Sequence, residues 1–170
     1  SILVMDATEG ATDQDKRLVE TIQKSGRGLV LVINKWDLVE NKSTTATIEY
    51  EEKIRGSLPH GDFAAMVFVS AKTGQRLPKI FEQVKLAYDN AQRRVSTSLL
   101  NQVISEAVTF TPPPSFKKRQ ANILYATQTG TCPPSFVIFA GNAKLIKDPY
   151  KRYLEKQLRA QFDFTGTPIR

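Results

Sequence analysis

Two short polar stretches each follow an apolar run of strand length, and their side chains are of types that can recognise a nucleotide base. The run at 29–33 leads into Asn34-Lys35-Trp36-Asp37, and the run at 64–69 leads into Ser70-Ala71-Lys72. Parallel strands of an open α/β sheet bind ligands at their carboxyl ends. We therefore expect the two stretches to lie at one edge of a sheet and to face one ligand.

The chemistry of the first stretch points to guanine. A single carboxylate, that of Asp37, can accept hydrogen bonds from both N1–H and the N2 amino group of guanine, a donor pair that adenine lacks. The Asn34 amide can meet acceptor atoms of the base and also tie its loop to the neighbouring loop. The long aliphatic stem of Lys35 can cover one face of the ring.

The second stretch supplies complementary groups. Ser70 can hydrogen-bond the Asp37 carboxylate, the small Ala71 lets a backbone N–H approach the guanine carbonyl, and Lys72 can cover the other face of the base. Gly74 permits a tight turn after them. Taken singly, each stretch also fits an ordinary polar loop that caps the following helix. The residues predicted to bind guanine are Asn34, Lys35, Trp36, Asp37, Ser70, Ala71 and Lys72.

The sequence lacks the loop that binds nucleotide phosphates. That loop reads Gly-x-x-x-x-Gly-Lys-Ser/Thr, and none of the nine glycines is followed by lysine. Asp163-Phe164-Thr165-Gly166 matches an Asp-x-x-Gly string, but its place after a basic helix predicts a turn. The first residues read as an internal strand, so the phosphate and Mg²⁺ ligands are expected upstream. No catalytic residue and no metal ligand is assigned here.

The first half alternates strand-length apolar runs with amphipathic stretches, a pattern typical of an α/β fold with a parallel sheet. Strands are predicted at 2–5, 29–33 and 64–69. Helices are predicted from a capping box at Thr12 and Asp15 to Gly26, at 44–58 and at 78–94. The stretch 6–10 is interpreted as a structural loop.

The sequence pattern of the second half predicts a small α+β domain that begins near Val95. A helix capped around Ser96 extends to about 108, and two strands at 121–129 and 136–140 form a hairpin. A basic helix follows at 150–162, and a further strand begins at 167–170. Tyr150 and Tyr153 lie at helical spacing beside leucines, which favours a core role over base stacking.

Charge is divided unevenly between the two halves. Residues 1–92 hold 12 Lys/Arg against 13 Asp/Glu, whereas residues 93–170 hold 12 against 4. The second half is therefore a candidate for phosphate-rich partners, although a basic surface that only keeps the domain soluble is the alternative. No apolar run approaches the roughly 20 residues needed to cross a membrane. One cysteine, Cys132, excludes an intrachain disulfide and favours a reducing, cytoplasmic location.

The whole chain resembles the EngA (Der) family of double GTPases. The resemblance rests on three stretches: Asn34-Lys35-Trp36-Asp37-Leu38-Val39, Ser70-Ala71-Lys72-Thr73-Gly74-Gln75-Arg76 and Gly166-Thr167-Pro168-Ile169-Arg170. It implies the C-terminal half of a P-loop GTPase G domain at 1–94, followed by a KH-like domain at 95–170 whose last strand is truncated. It also implies GTP or GDP with Mg²⁺, hydrolysis of GTP, upstream G domains in the same chain, and a role in assembly of the large ribosomal subunit.

RNA contact is expected through basic side chains, because no two glycines have the Gly-x-x-Gly spacing that KH domains use to clamp RNA. The candidates for rRNA contact are Lys117, Lys118, Arg119, Lys151, Arg152, Lys156 and Arg159. Two alternatives stay open. The chain by itself can be a basic RNA-binding or ribosome-binding module with no nucleotide activity, or it can come from another translation-related GTPase family.

Overall fold

The computed structural model describes residues 1–39, 44–116 and 119–170. These residues form two compact units. Unit 1 comprises Ser1–Ala91 together with Phe164–Pro168, and unit 2 comprises Gln92–Asp163 together with Ile169–Arg170. The predicted fold class is confirmed, since a parallel sheet with flanking helices is followed by a smaller α+β unit. The predicted division at 94/95 differs from these units chiefly in the placement of Phe164–Pro168.

The sheet of unit 1 has three parallel strands in the order β1-β2-β3. They are β1 (Ile2–Asp6), β2 (Val30–Asn34) and β3 (Ala65–Phe68). Asp6 pairs with Asn34, and Ile33 pairs with Phe68, so the carboxyl ends of all three strands lie at the same edge of the sheet.

Three helices flank this sheet: α1 (Asp13–Ser25), α2 (Thr44–Ser57) and α3 (Pro78–Gln92). The predicted capping box of α1 is confirmed, because the Thr12 hydroxyl accepts from the Asp15 N–H and the Asp15 carboxylate accepts from the Thr12 N–H. Gly26 ends the helix in the left-handed region, at φ 75°.

Two separate apolar clusters cover the sheet. The first cluster includes Met5, Val19, Leu29, Leu31, Ile33, Trp36, Ile54, Leu58 and Phe68. The second includes Val30, Val32, Ala65, Val67, Val69 and Ala87. Alternation along β2 distributes its residues between the two, which is the pattern of a strand buried on both faces.

The segment Phe164–Pro168, which we call the strap, belongs to unit 1. The Gly166 N–H donates to the Phe63 carbonyl at 2.7 Å, and the Gly166 carbonyl accepts from the Leu29 N–H at 2.8 Å. The strap thus joins the segments that enter β2 and β3. Phe164, at 1% exposure, is buried.

Side-chain contacts fix the strap in place. Asn90, which is fully buried on α3, donates its amide to the Thr165 carbonyl at 2.9 Å. Gly166 has φ +83° and lies against Ala87. The Thr167 N–H closes a turn onto the Phe164 carbonyl at 3.1 Å. The strand predicted from Thr167 therefore does not begin there, whereas the turn predicted for the Asp-x-x-Gly string is confirmed.

The described part of unit 2 contains two α-helices, a 3₁₀ turn at Ala143–Leu145 and antiparallel ribbons. Helices α4 (Thr97–Phe110) and α5 (Asp148–Gln161) accompany β6 (Asn122–Gly130) and β7 (Ser135–Gly141), which pair as the predicted hairpin. A two-residue pair, β4 (Ser115–Phe116) and β5 (Arg119–Gln120), was not predicted. The buried residues of α4 and α5 are Leu100, Val103, Ile104, Ala107, Tyr150, Leu154 and Leu158.

The two tyrosines of α5 serve the core of unit 2, as predicted. Tyr150 donates its hydroxyl to the Thr111 carbonyl at 2.7 Å, and Tyr153 donates to the Ala107 carbonyl at 2.8 Å. At the chain end, the Arg170 N–H donates to the Pro134 carbonyl at 2.9 Å, and the Arg170 carbonyl accepts from Phe136. Within the ranges given above, no helix is both long and apolar enough to cross a membrane.

Candidate nucleotide-binding site

The two polar stretches predicted to face one ligand meet at the carboxyl edge of the unit 1 sheet. The side-chain carbonyl of Asn34, the last residue of β2, accepts from the Ala71 N–H at 3.0 Å. The Trp36 N–H donates to the Val69 carbonyl, also at 3.0 Å. One side-chain bond and one backbone bond therefore hold the loop after β2 against the loop after β3.

Lys35 turns the chain at the end of β2. Its backbone lies in the left-handed region, at φ 62°, and a single 3₁₀ turn, Trp36–Leu38, follows it. The Lys35 ammonium lies 2.5 Å from Oδ2 of Asp6, the last residue of β1. The hydrogen bond to Asp6 raises the pKa of Lys35.

Asp6 is a further candidate at this edge that the sequence interpretation missed, since it treated 6–10 as a structural loop. Hydrogen bonds from Lys35, and then from the side chain and backbone of Thr8, lower the pKa of Asp6 to about 2. The carboxylate is therefore ionised at neutral pH. The signal that could have identified it is position: an acidic residue directly ends the strand beside β2.

Trp36 is placed differently from the prediction. Its side chain is only 2% exposed and belongs to the core below the sheet edge. The indole meets Tyr50 edge-on at 5.3 Å and Phe68 at 4.5 Å. Trp36 therefore anchors the loop through packing, and its buried indole is not accessible to a base.

Asp37 is half-buried in the 3₁₀ turn that follows Lys35. Ser70 is fully buried and accepts from the Thr73 N–H at 3.2 Å, which shapes the second loop from within. Ala71 and Lys72 are exposed. That a backbone N–H of this loop approaches the guanine carbonyl stays a prediction, and the N–H of Ala71 itself donates to Asn34.

Gly74 and Gln75 close the second loop. Gly74 has φ +76° with open space around it, as expected of a tight turn. The Ser70 N–H donates to the Gln75 carbonyl at 3.2 Å, which forms an isolated antiparallel bridge. The loop after β3 is therefore closed on itself and tied to β2 through Asn34.

The basic residues predicted to contact RNA are only partly described. Lys117 and Lys118 lie outside the described residues, and Arg119 begins β5. Lys151, Arg152 and Lys156 are exposed on α5. Lys151 pairs with Asp148 on the same helix at 3.0 Å.

Arg159, the last of the predicted basic contacts, is half-buried and pairs with Glu155 at 3.0 Å. Among the described residues of this set, Arg152 and Lys156 are therefore the exposed cations of α5 that form no ion pair.

Two families match the chain. Residues 1–107 match a family described as the elongation factor Tu GTP binding domain, and residues 94–170 match one described as KH-domain-like of EngA bacterial GTPase enzymes, C-terminal. The two matches correspond to the G-domain part and the KH-like domain that the sequence predicts.

Curated relatives are named GTPase Der. Those from Synechococcus sp. (strain JA-3-3Ab) and Thermosynechococcus vestitus are 46% and 48% identical over 170 residues, which is 99% of this chain. The relative from Lactobacillus acidophilus is 44% identical over 169 residues. This chain spans about 37 to 39% of the length of these relatives. It belongs to the EngA (Der) family of GTPases and comprises part of a GTP-binding domain followed by the family's KH-like domain.

Proposed function

We propose that the carboxyl edge of β2 and β3 recognises the base of GTP and GDP in a GTP-hydrolysing protein. The observation that carries this proposal is the hydrogen bond between Asn34 and the Ala71 N–H at 3.0 Å, which joins two loops far apart in the sequence into one polar edge. The position of this edge supports the proposal, because open α/β sheets bind ligands at the carboxyl ends of their strands.

The side chains at this edge divide the task of reading guanine. Asp37 accepts from N1–H and the N2 amino group, a charge-assisted pair of bonds that selects guanine over adenine. Lys35 and Lys72 each have an aliphatic stem that can lie along a face of the purine. Asn34 keeps the second loop in place, and the buried Trp36 keeps the first loop in place.

Hydrolysis needs groups beyond these 170 residues. Phosphoryl transfer depends on a loop that cradles the phosphates and on Mg²⁺, and no glycine of this sequence precedes a lysine. We use the term long chain for a chain with the length of the curated relatives. In it, these 170 residues follow a loop that cradles the nucleotide phosphates. On this proposal the long chain binds GTP with Mg²⁺ and hydrolyses it, while the 170 residues supply the base specificity of the G domain to which they belong.

The test is hydrolysis of GTP and ATP by the long chain at equal concentrations. We expect phosphate release from GTP only, because adenine offers no donor pair to Asp37. Equal rates with the two nucleotides would contradict guanine recognition at this edge.

For unit 2 we propose contact with RNA of the large ribosomal subunit. The support is electrostatic, since residues 93–170 carry 12 Lys/Arg against 4 Asp/Glu. Arg152 and Lys156 present their charges on the exposed side of α5, while Leu154 and Leu158 are buried on its other side. Such a surface binds phosphates without reading base sequence.

Binding of purified large ribosomal subunits by the 170-residue chain is expected to weaken steeply as salt rises. Each phosphate contact adds about −0.7 to −0.9 to the slope of log K against log salt concentration. The double substitution Arg152→Gln with Lys156→Gln should make that slope less negative by about 1.4 to 1.8. Filter binding across a salt series measures it.

The matched control for this prediction replaces Lys53 and Lys79, two exposed lysines of unit 1, by glutamine. We expect the slope to stay at the wild-type value in this control. A flat salt response of the wild type, or equal effects of the two double substitutions, would contradict a phosphate-binding surface on α5.

The 170 residues by themselves support a second, narrower function. They contain the basic unit 2 but no phosphate loop, so we propose that they bind RNA without hydrolysing GTP. Phosphate release from GTP by this chain alone would contradict that assignment.

A further inference from the structure

A third strand end contributes to the candidate guanine site. β1 ends at Asp6, which is in register with Asn34 at the end of β2. The Ala7 N–H donates to the Asn34 carbonyl at 2.9 Å, so the chain leaving β1 stays beside the loop that reads the base. The strand end at Asp6 is therefore part of the same edge.

The Asp6 carboxylate is held in one orientation. Its Oδ1 accepts from the Thr8 N–H at 2.8 Å and from the Thr8 hydroxyl at 2.7 Å. Its backbone carbonyl accepts from the N–H groups of Glu9 and Gly10, at 3.3 and 3.0 Å. These bonds leave Oδ2 directed at Lys35.

Lys35 is fixed at both of its ends. The left-handed backbone at φ 62° sets where its side chain starts, and the ion pair of 2.5 Å with Asp6 sets where its ammonium lies. The side chain is nevertheless 55% exposed, whereas that of Asp6 is 18% exposed. The methylene groups between the two fixed ends therefore remain accessible to a ligand.

We propose that Asp6 is a positioning residue of the guanine site, which holds the Lys35 ammonium so that the lysine stem forms one wall for the purine ring. This proposal rests on the proposed guanine recognition and adds β1 to the site. Asp6 itself contacts no atom of the base. Its effect on binding passes through Lys35, because its carboxylate is occupied by Lys35 and Thr8.

A double-mutant cycle in the long chain separates this role from a local structural one. Asp6→Asn keeps an oxygen for Thr8 but removes the charge that holds Lys35, and Lys35→Met keeps a stem but removes the ammonium. We expect each single substitution to weaken GDP binding by about 2- to 5-fold, the range of a half-exposed ion pair. The double variant should have the same GDP affinity as Lys35→Met, because Asp6 then has no ammonium group to hold.

The same cycle contains the results that would overturn the proposal. One such result is an unchanged GDP affinity in Asp6→Asn. The other is a loss of GDP affinity on Asp6→Asn that is equally large in the wild-type and in the Lys35→Met background. Asp13→Asn is the matched control, since Asp13 pairs with Lys16 on α1 at 2.8 Å. It should leave GDP affinity unchanged.

A second measurement needs no nucleotide and uses the 170-residue chain. NMR titration of the lysine ammonium groups should show the pKa of Lys35 raised in the wild type and returned to its ordinary range in Asp6→Asn. The pKa of Lys85, which is raised by its hydrogen bond to Asp89, should be the same in both proteins.

An unchanged Lys35 titration in Asp6→Asn would overturn the inference even if the long chain binds guanine. Equal affinity of the long chain for GDP and ADP would overturn guanine recognition instead, with the Lys35 titration unaffected. The failure of the positioning role is therefore distinguishable from the failure of the proposed function.

Discussion

Replacing Asp37 by asparagine in the long chain is expected to exchange guanine selectivity for xanthine selectivity. On the proposed function, the carboxylate of Asp37 accepts two hydrogen bonds from guanine, and an amide offers one acceptor and one donor instead. Xanthine presents N1–H and a carbonyl oxygen at position 2, which match that amide. Two charge-assisted bonds are involved, so GDP affinity should fall on the order of 10²- to 10⁴-fold.

Equilibrium titration with GDP and XDP measures this exchange. The site that contains Asp37 should bind GDP and reject XDP in the wild type and reverse that order in the variant, while an upstream G domain keeps its preference for GDP. Asp62→Asn is a suitable control, because Asp62 is an exposed aspartate of unit 1 that lies before β3, at the end of the strand opposite the candidate site. If the ratio of GDP affinity to XDP affinity were the same for the wild type and Asp37→Asn, Asp37 would not be a base-contacting residue.

The second large effect is expected at the strap, from Gly166→Ala. At φ +83° an alanine is strained by about 1 to 2 kcal/mol. A methyl group there would also lie 2.9 Å from the Cα of Ala87 and closer still to its Cβ. Overpacking of this kind costs about 1 to 3 kcal/mol. Because the strap bridges the entries to β2 and β3, unit 1 should lose about 2 to 5 kcal/mol of stability.

Fluorescence of Trp36 is the appropriate measurement, because it is the sole tryptophan and is buried in the unit 1 core. At about 4 to 8 °C per kcal/mol for a unit of this size, the Tm of unit 1 should fall by about 8 to 40 °C. Gly10→Ala is the matched control, since Gly10 has φ +76° but nothing within 4 Å of the added methyl group. Equal shifts in the two variants would mean that the strap contact contributes nothing.

Features set by neighbouring residues could be predicted from the sequence. The Thr12 and Asp15 capping box and the turn at Gly74 each depend on a few consecutive residues, and both occur as expected. The meeting of the loops after β2 and β3 could also be predicted, because the carboxyl ends of parallel strands share one edge.

Features set by register and by distant contacts could not be predicted. The pairing of Asp6 with Lys35 depends on the alignment of β1 with β2, which no local pattern specifies. The burial of Trp36 depends on packing against Tyr50 and Phe68, which are distant from it in the sequence. The strap depends on partners such as Asn90, which lies 75 residues from Thr165.

The most direct test of guanine recognition at the edge of β2 and β3 is photocrosslinking of 6-thio-GDP to the long chain. The sulfur replaces the carbonyl oxygen of the base, which on this account faces the loop after β3. Mass spectrometry should find the crosslink on the peptide that carries Ser70, Ala71 and Lys72, and excess GDP, but not ADP, should suppress it. Crosslinks confined to unit 2, or equal suppression by GDP and ADP, would contradict the proposed site.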